Sequence, residues 1–174
     1  MITIIASTNR TNSYSLKTAQ YYQKVIKQMD HDASILSLEN LPEDIIHTDM
    51  YGKIKPRSFE PFQQIITNTQ KFIFIIPEYN GSFPGILKVM IDTCRFPDSF
   101  SGKKACLVGI STGKYGNIRG IDHFTGICHY LNMHVLPLKI HIPNINKEFD
   151  EEGNFFQADT LKFTKQQISQ FIAW

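Results

Sequence analysis

Five stretches of this chain are apolar almost from end to end, and they restrict the possible folds more than any other feature. They lie at residues 2–6, 35–38, 72–76, 105–110 and, more weakly, 133–142. A strand with one solvated face alternates between apolar and polar residues, so uninterrupted apolar strands are expected to be covered on both faces. The pattern therefore predicts a doubly wound α/β fold, with a five-stranded parallel sheet and helices on both of its faces.

Helical periodicity fills the segments between these strands. Apolar side chains recur every three or four positions within residues 16–29, 59–69, 86–94 and 118–131, which is the spacing of a helix that buries one face. A last helix is predicted from Asp159 toward Trp174, with Asp159 as its N-cap. Because no linker rich in Pro, Gly or Ser divides the chain, residues 1–174 are expected to form one domain.

The charge balance and the cysteines narrow the class of protein. The chain carries 18 basic and 16 acidic residues, for a net charge of +2, so strong attraction to nucleic acid is not expected. Its three cysteines are odd in number and lack CxxC spacing, which favours buried thiols in a cytoplasmic protein. No run approaches the roughly 18 apolar residues that would span a membrane, so no membrane partner is expected.

Three loops between predicted elements are the candidate ligand sites. The first loop is STNRTNSYS at residues 7–15, the second is PEYNGSFPG at residues 77–85, and the third is STGKYGNIRG at residues 111–120. In an open parallel sheet, ligands bind beyond the carboxyl ends of the strands, where the winding direction reverses. If the strand order is 2-1-3-4-5, the three loops meet at one edge of the sheet.

The first loop gathers hydroxyl groups and Arg10 immediately before a helix. The free N–H groups of a helix start favour an anion, and the hydroxyls and the guanidinium add donors, so a phosphate fits this loop. The alternative is a solvated loop in which Ser13 or Ser15 is a plain N-cap. The loop has neither the GxxxxGK[ST] nor the GxGxxG pattern, which makes nucleotide triphosphates and the standard NAD fold less favoured.

The second loop combines glycines with an aromatic ring and an amide. Gly81 and Gly85 would let backbone approach a ligand closely, whereas Tyr79 and Asn80 offer a flat face and hydrogen-bonding groups. The alternative is an efficient strand-to-helix turn with Ser82 as the cap.

The third loop has glycines at spacings of three and four, namely Gly113, Gly116 and Gly120. Such spacing would let the chain pass flat against a planar ring, with N–H groups directed inward. Lys114 and Arg119 are either ligand contacts or ordinary solvated charges.

The histidines give no sign of a metal site. His123, Cys128, His129 and His134 are close in sequence, but positions 123 and 129 of a helix point to different sides. Neither HExxH nor paired CxxC motifs are present, so no metal ion is expected.

Taken together, the three loops resemble the NAD(P)H-dependent FMN reductase family. This flavodoxin-like group includes azoreductases, quinone reductases and chromate-reducing flavoproteins. The most specific match is PEYNGSFPGILKVMID at residues 77–92, against a family pattern of PEYN, a small residue and PGxLKNAID. TNRTNS and STGKYGNIRG match the family's first and third loops, and the resemblance in order and spacing covers essentially the whole chain. It implies a flavodoxin-like sheet of order 2-1-3-4-5.

The resemblance also implies a set of cofactor-binding residues. Thr8, Arg10, Ser13 and Ser15 would hold the FMN phosphate; Pro77, Glu78, Tyr79, Asn80 and Gly81 would line the isoalloxazine; Ser111, Gly113 and Gly116 would face the pyrimidine side. No catalytic side chain is expected, because the hydride would be transferred at N5 of FMN and the cofactor carries the chemistry.

The activity implied by the resemblance is that of an NAD(P)H-dependent oxidoreductase. NADPH or NADH would reduce FMN, which would then pass electrons to a small-molecule acceptor. Homodimers or homotetramers are usual in the family, with the flavin near a subunit interface. The irregular stretch 39–57 would border the site, but its residues do not select an acceptor, and Arg10, Lys114 or Arg119 could each meet a 2′-phosphate.

Two other functions are compatible with the same scaffold. A non-enzymatic flavodoxin-like electron carrier would usually have a TxTGxT phosphate loop and a strongly acidic surface, unlike TNRTNS and a net charge of +2. A flavin-free ligand-binding domain would not oxidise NAD(P)H.

Overall fold

A parallel sheet forms the centre of the fold, as the apolar stretches predict. In the computed structural model, which describes residues 1–46 and 56–174, the strands are β1 (Ile2–Ala6), β2 (Ala33–Ser37), β3 (Lys71–Pro77), β4 (Lys104–Ile110), β5 (His134–Val135) and β6 (Ile140–Ile142). Their order is β2-β1-β3-β4-β5, with β6 also paired to β4, and these pairings are parallel. The predicted order 2-1-3-4-5 is confirmed.

The fifth predicted strand is divided into two short pieces. Both β5 and β6 pair with β4, β5 at its start and β6 at its end. The Leu136 N–H still donates to the Ala105 carbonyl at 2.8 Å. Pro137 follows and has no N–H to donate, so it interrupts the ladder.

The helices of the described residues are α1 (Tyr14–Gln28), α2 (Glu60–Asn68), α3 (Gly85–Thr93), α4 (Ile118–Tyr130) and α5 (Ala158–Ala173). The first four lie where the periodicity predicts them. The prediction that Asp159 caps α5 is wrong, because Gln157 occupies the extended cap position, with φ −69° and ψ 128°. Asp159 lies in the first turn, where its charge is favourable beside the positive helix end. Within the described ranges, no helix is both long and apolar enough to cross a bilayer.

Two apolar layers lie on opposite faces of the sheet. Ile4 and Ile73 pack on the face covered by α1 and α5, whereas their neighbours Ile5 and Phe74 pack on the face covered by α2, α3 and α4. All four side chains are fully buried. Alternate residues of a strand point to opposite faces, so burial of both sets explains the uninterrupted apolar stretches.

The three cysteines belong to these layers. Cys106 lies in the layer beside α1, and Cys94 and Cys128 lie in the opposite layer, all as thiols. Burial raises the pKa of the Cys106 thiol and raises that of Cys128 to about 12. The prediction of buried thiols is therefore confirmed, and burial makes Cys106 and Cys128 poor nucleophiles.

The segment after β6 folds back against the start of α1. Phe149 pairs with Phe155 through an antiparallel bridge, and their ring centroids are 4.6 Å apart. Tyr14 of α1 stacks on Phe149 at 6.2 Å. The intervening turn contains Gly153 at φ +76°. These contacts place the segment beside the first loop.

Candidate functional site

A cleft of about 250 Å³ opens at the carboxyl ends of β1, β3 and β4. The first, second and third loops meet there because the three strands are neighbours, which is the usual ligand position in an open parallel sheet. Eight predicted cofactor-binding residues line the cleft: Thr8, Arg10, Ser13, Ser15, Pro77, Glu78, Tyr79 and Ser111. The walls formed by the described residues do not include Asn80, Gly81, Gly113 or Gly116.

The start of α1 forms one end of the cleft. Ser13 is the N-cap, and its Oγ accepts a hydrogen bond from the Leu16 N–H at 3.2 Å. Ser15 lies in the first turn and is 1 % exposed, yet its Oγ has no hydrogen-bond partner among the described residues. Together with free N–H groups of the helix start and the exposed Arg10, this hydroxyl forms a site suited to an anion.

A direct contact joins the first and second loops. The Thr8 hydroxyl lies 2.7 Å from the Tyr79 hydroxyl, and Thr8 Oγ1 also accepts a hydrogen bond from the Arg10 N–H at 3.3 Å. Tyr79 belongs to the loop expected to border the ring, but its hydroxyl reaches the loop expected to hold the phosphate. The phenol therefore links the second loop to the first.

The second loop makes a tight turn at Asn80 and Gly81. Tyr79 and Ser82 exchange two backbone hydrogen bonds, at 2.9 and 3.0 Å. The residues between them have φ values of +52° and +75°, as in a type I′ turn, which favours Asn-Gly. Turn geometry alone accounts for both residues. The Ser82 hydroxyl contacts His123 Nδ1 of α4 at 3.0 Å, while the position before α3 is occupied by Pro84.

The third loop is organised by Ser111. Its hydroxyl donates to the Gly113 carbonyl at 2.9 Å and accepts from the Gly116 N–H at 3.0 Å. Ser111 lines the cleft, but its hydroxyl is already used within the loop. The Lys114 ammonium lies 4.9 Å from the ring centroid of Tyr115, and both side chains are exposed.

Gly116 is required by a close approach to β6. It has φ +58°, and a Cβ there would lie 2.7 Å from the backbone of His141 and Ile142. The glycine therefore lets the third loop pack against the sheet. Contacts of Asn80, Gly81, Gly113 and Gly116 with a cofactor remain predictions.

Two residues near the site were missed by sequence reasoning. Asn117 is 1 % exposed, and its Nδ2 donates to the Ile76 carbonyl at 3.0 Å. Ile145 lines the cleft from the segment after β6, and its N–H donates to the Ser111 carbonyl at 2.9 Å. An asparagine before a helix usually indicates an N-cap, and no local pattern distinguishes Ile145 from a core residue.

Two further expectations concern metal binding and the stretch 39–57. Within residues 1–46 and 56–174, no group of three or more His, Cys, Asp or Glu side chains is arranged to hold a metal ion. The stretch 39–57 was expected to border the site, but Met50 and Tyr51 lie outside the described residues.

The sheet order and the cleft beyond β1, β3 and β4 define a flavodoxin-like protein. Residues 1–147 match the profile of the family described as NADPH-dependent FMN reductase. The chain belongs to this family, and it is an oxidoreductase that uses FMN and NAD(P)H. Membership of this family favours an enzyme over a non-enzymatic electron carrier.

Known proteins resemble the chain over most of its length. A 2-hydroxy-1,4-benzoquinone reductase from a Burkholderia species is 24 % identical, with 99 % of this chain and 94 % of the relative aligned. Probable NADPH:quinone oxidoreductase 2 from Oryza sativa subsp. japonica is 30 % identical over 80 % of this chain and 70 % of its own. The solved structure of FerB, a flavoenzyme NAD(P)H:(acceptor) oxidoreductase from Paracoccus denitrificans, has a TM-score of 0.84 and 21 % identity, covering 99 % and 95 %.

Proposed function

We propose that the cleft holds FMN, with the phosphate at the start of α1 and the ring along the second and third loops. We further propose that the enzyme transfers electrons from NAD(P)H to a quinone. The position of the cleft supports the first proposal. The quinone activities in the names of the two relatives support the second.

The buried hydroxyl of Ser15 is the observation that carries the cofactor placement. A buried hydroxyl without a partner costs about 1–3 kcal/mol, so a ligand atom that pairs with it at the cleft wall would recover this free energy. A phosphate supplies acceptor oxygens for this hydroxyl, for the helix N–H groups and for Arg10. The same end of the cleft contains Thr8, whose hydroxyl is shared with Tyr79.

The protein's part in the reaction is to bind and orient FMN and to exclude water from the cleft. When bound, FMN supplies the hydride and electron-transfer chemistry. Arg10 and Ser15 hold the phosphate end, so the position of the ring is fixed from a distance. Ile110 and Ile145 contribute apolar surface to the cleft, which limits water. The chain's own acids and bases have no assigned step.

Binding and turnover of the purified protein test the two proposals separately. FMN titration is expected to give saturable binding and a bound-flavin spectrum that bleaches with NADPH under anaerobic conditions. Absence of FMN binding would overturn the cofactor placement. A benzoquinone should then accelerate NAD(P)H oxidation well above the rate with oxygen alone; a rate independent of quinone would overturn the acceptor assignment only.

We also propose a homodimer or homotetramer in the cytoplasm. Tyr130, at the end of α4, is 85 % exposed, and exposed tyrosines are enriched at interfaces between chains. The buried thiols support a reducing compartment. Light scattering coupled to size exclusion measures the mass; a monomer of 20.0 kDa would contradict the oligomer.

A further inference from the structure

Asn117 connects the second and third loops from inside the molecule. We infer that it is a positioning residue, which sets the spacing between these loops and thereby the width of the slot for the flavin ring. The inference rests on the proposed placement of FMN, but it assigns a role to a residue outside the walls of the cleft.

The backbone of Asn117 places its amide toward the sheet. The residue precedes α4 with φ +60° and ψ +38°, a left-handed conformation that asparagine tolerates better than most residues. An N-cap side chain would accept a hydrogen bond from the helix start. Here the amide instead donates from Nδ2 to the carbonyl of Ile76, 41 positions earlier in the chain.

The orientation of this amide is fixed by its partner. A backbone carbonyl only accepts hydrogen bonds, so the side-chain atom facing Ile76 must be Nδ2. Oδ1 is thereby directed into a buried position, where it has no partner in the described part of the chain. An unpaired buried oxygen costs stability, so the position retains an amide at some expense to the fold.

Glycines allow the surrounding backbone to close on Asn117. A Cβ at Gly120 would overlap Oδ1 and lie 2.7 Å from the carbonyl carbon of Ser82. A Cβ at Gly109 would lie 3.3 Å from the Asn117 Cβ and would overlap the Gly116 carbonyl. The start of α4, the end of β4 and the second loop therefore pack at one junction around the amide.

This junction controls the point where the second loop leaves the sheet. Pro77 lines the cleft and has no N–H, so its neighbours must hold it in place. On one side the Glu78 N–H donates to the Ile110 carbonyl at 3.0 Å, and on the other the Ile76 carbonyl accepts from Asn117. Loss of the amide removes the restraint that ties the start of α4 to the end of β3, and the spacing between the second and third loops is then less firmly held.

Two substitutions and a matched control test this role. Asn117→Gly permits the same backbone and removes the amide, whereas Asn117→Asp keeps the shape and loses the donor. Asn132→Gly is the control, because Asn132 has φ +58°, is exposed and lies at the opposite end of α4. Dissociation constants are measured for FMN, riboflavin and lumiflavin, which share the ring but differ in the phosphate and the ribityl chain.

Both Asn117 variants are expected to raise the dissociation constants of all three ligands by a similar factor, roughly tenfold for loss of one buried hydrogen bond. Asn132→Gly should bind all three as the wild type does. A role in folding alone predicts a lower melting temperature with unchanged lumiflavin affinity, and that result would overturn the inference. If Asn117→Asp does not fold, Asn117→Gly carries the test. Wild-type protein that binds none of the flavins would overturn the proposed FMN site and this inference together.

Discussion

Two serines at the start of α1, two positions apart, differ in their hydrogen bonding. Ser13 pairs with a backbone N–H at the helix start, whereas Ser15 keeps a buried hydroxyl without a partner among the described residues. A cap stabilises the folded chain. An unpaired buried hydroxyl costs free energy until a ligand pairs with it. The same chemical group thus caps the helix at one position and, in the proposed site, binds the phosphate at the other.

Alanine substitutions separate these two roles. Ser13→Ala is expected to lower the free energy of unfolding of the cofactor-free protein by about 1 kcal/mol, because it removes a cap. Ser15→Ala should cause no such loss, since it removes an unpaired group, yet it should weaken FMN binding by roughly tenfold. Urea unfolding and FMN titration measure the two effects. Equal destabilisation by both substitutions would contradict the division of roles.

The charge of Arg10 is expected to recognise the phosphate. Arg10→Ala should weaken FMN binding while leaving riboflavin binding close to the wild-type value, because riboflavin lacks the phosphate. The difference in FMN affinity between the wild type and Arg10→Ala should shrink as salt is added, since the guanidinium is exposed. Arg10→Lys is the matched control that keeps the charge. Equal losses for FMN and riboflavin would exclude Arg10 as a phosphate contact.

Among the structural elements, the turn of the second loop has a sequence explanation that is independent of any ligand. Asn-Gly between two residues that exchange backbone hydrogen bonds is the usual composition of a type I′ turn. The resemblance had assigned Asn80 and Gly81 to the ring instead. The observed φ values account for both residues through the turn, and a contact of Asn80 or Gly81 with the ring stays a prediction.

A pair of glycine substitutions distinguishes strain from a binding effect. Gly81→Val and Gly153→Val both place a branched side chain at nearly the same φ, +75° and +76°, and each should destabilise the fold by about 1–2 kcal/mol. Only the first alters the second loop, where its Cβ would lie 3.3 Å from Arg119 Nη2. Flavin binding is therefore expected to fall in Gly81→Val alone. A yellow, active Gly81→Val protein would refute the importance of this turn.

The elements were predictable where local pattern determines them. Continuous apolar stretches located β1 to β4. The division of the fifth strand was also predictable, because Pro137 has no N–H for the ladder. The meeting of the three loops followed from strand order. The unpaired hydroxyl of Ser15 and the bond from Asn117 to Ile76 were not predictable, because each depends on tertiary packing between distant parts of the chain.

At the scale of the whole molecule, the two buried layers make stability depend on pH. The Cys128 thiol has its usual pKa of 9.0 when unfolded and about 12 when folded, because burial disfavours the thiolate. Cys106 shifts in the same direction. Above pH 9 the unfolded chain loses these protons and the folded protein keeps them. Stability is therefore fully present below pH 9 and declines as the pH rises toward 12.

This linkage predicts a decline of about 1.4 kcal/mol per pH unit for each thiol above pH 9. Urea unfolding between pH 8 and 10.5 measures it. The partly buried Lys71 and the buried Lys103 have lowered pKa values, and both act in the opposite direction. The comparison is therefore made with Cys128→Ala. That variant should be less stable at pH 8 because of its cavity, but its decline with pH should be shallower. Parallel curves would contradict the burial effect.

The hydrogen bond between Thr8 and Tyr79 crosses the cleft between the ends of β1 and β3. If the phosphate lies at the first loop and the ring at the second, a change in the contacts of the phosphate will alter the position of Tyr79 beside the ring. Replacing Thr8 by Val should then change the colour of the bound flavin as well as its affinity, because Tyr79 loses its anchor. The absorption spectrum of the bound flavin would then depend on the contacts made at the phosphate end of the cleft.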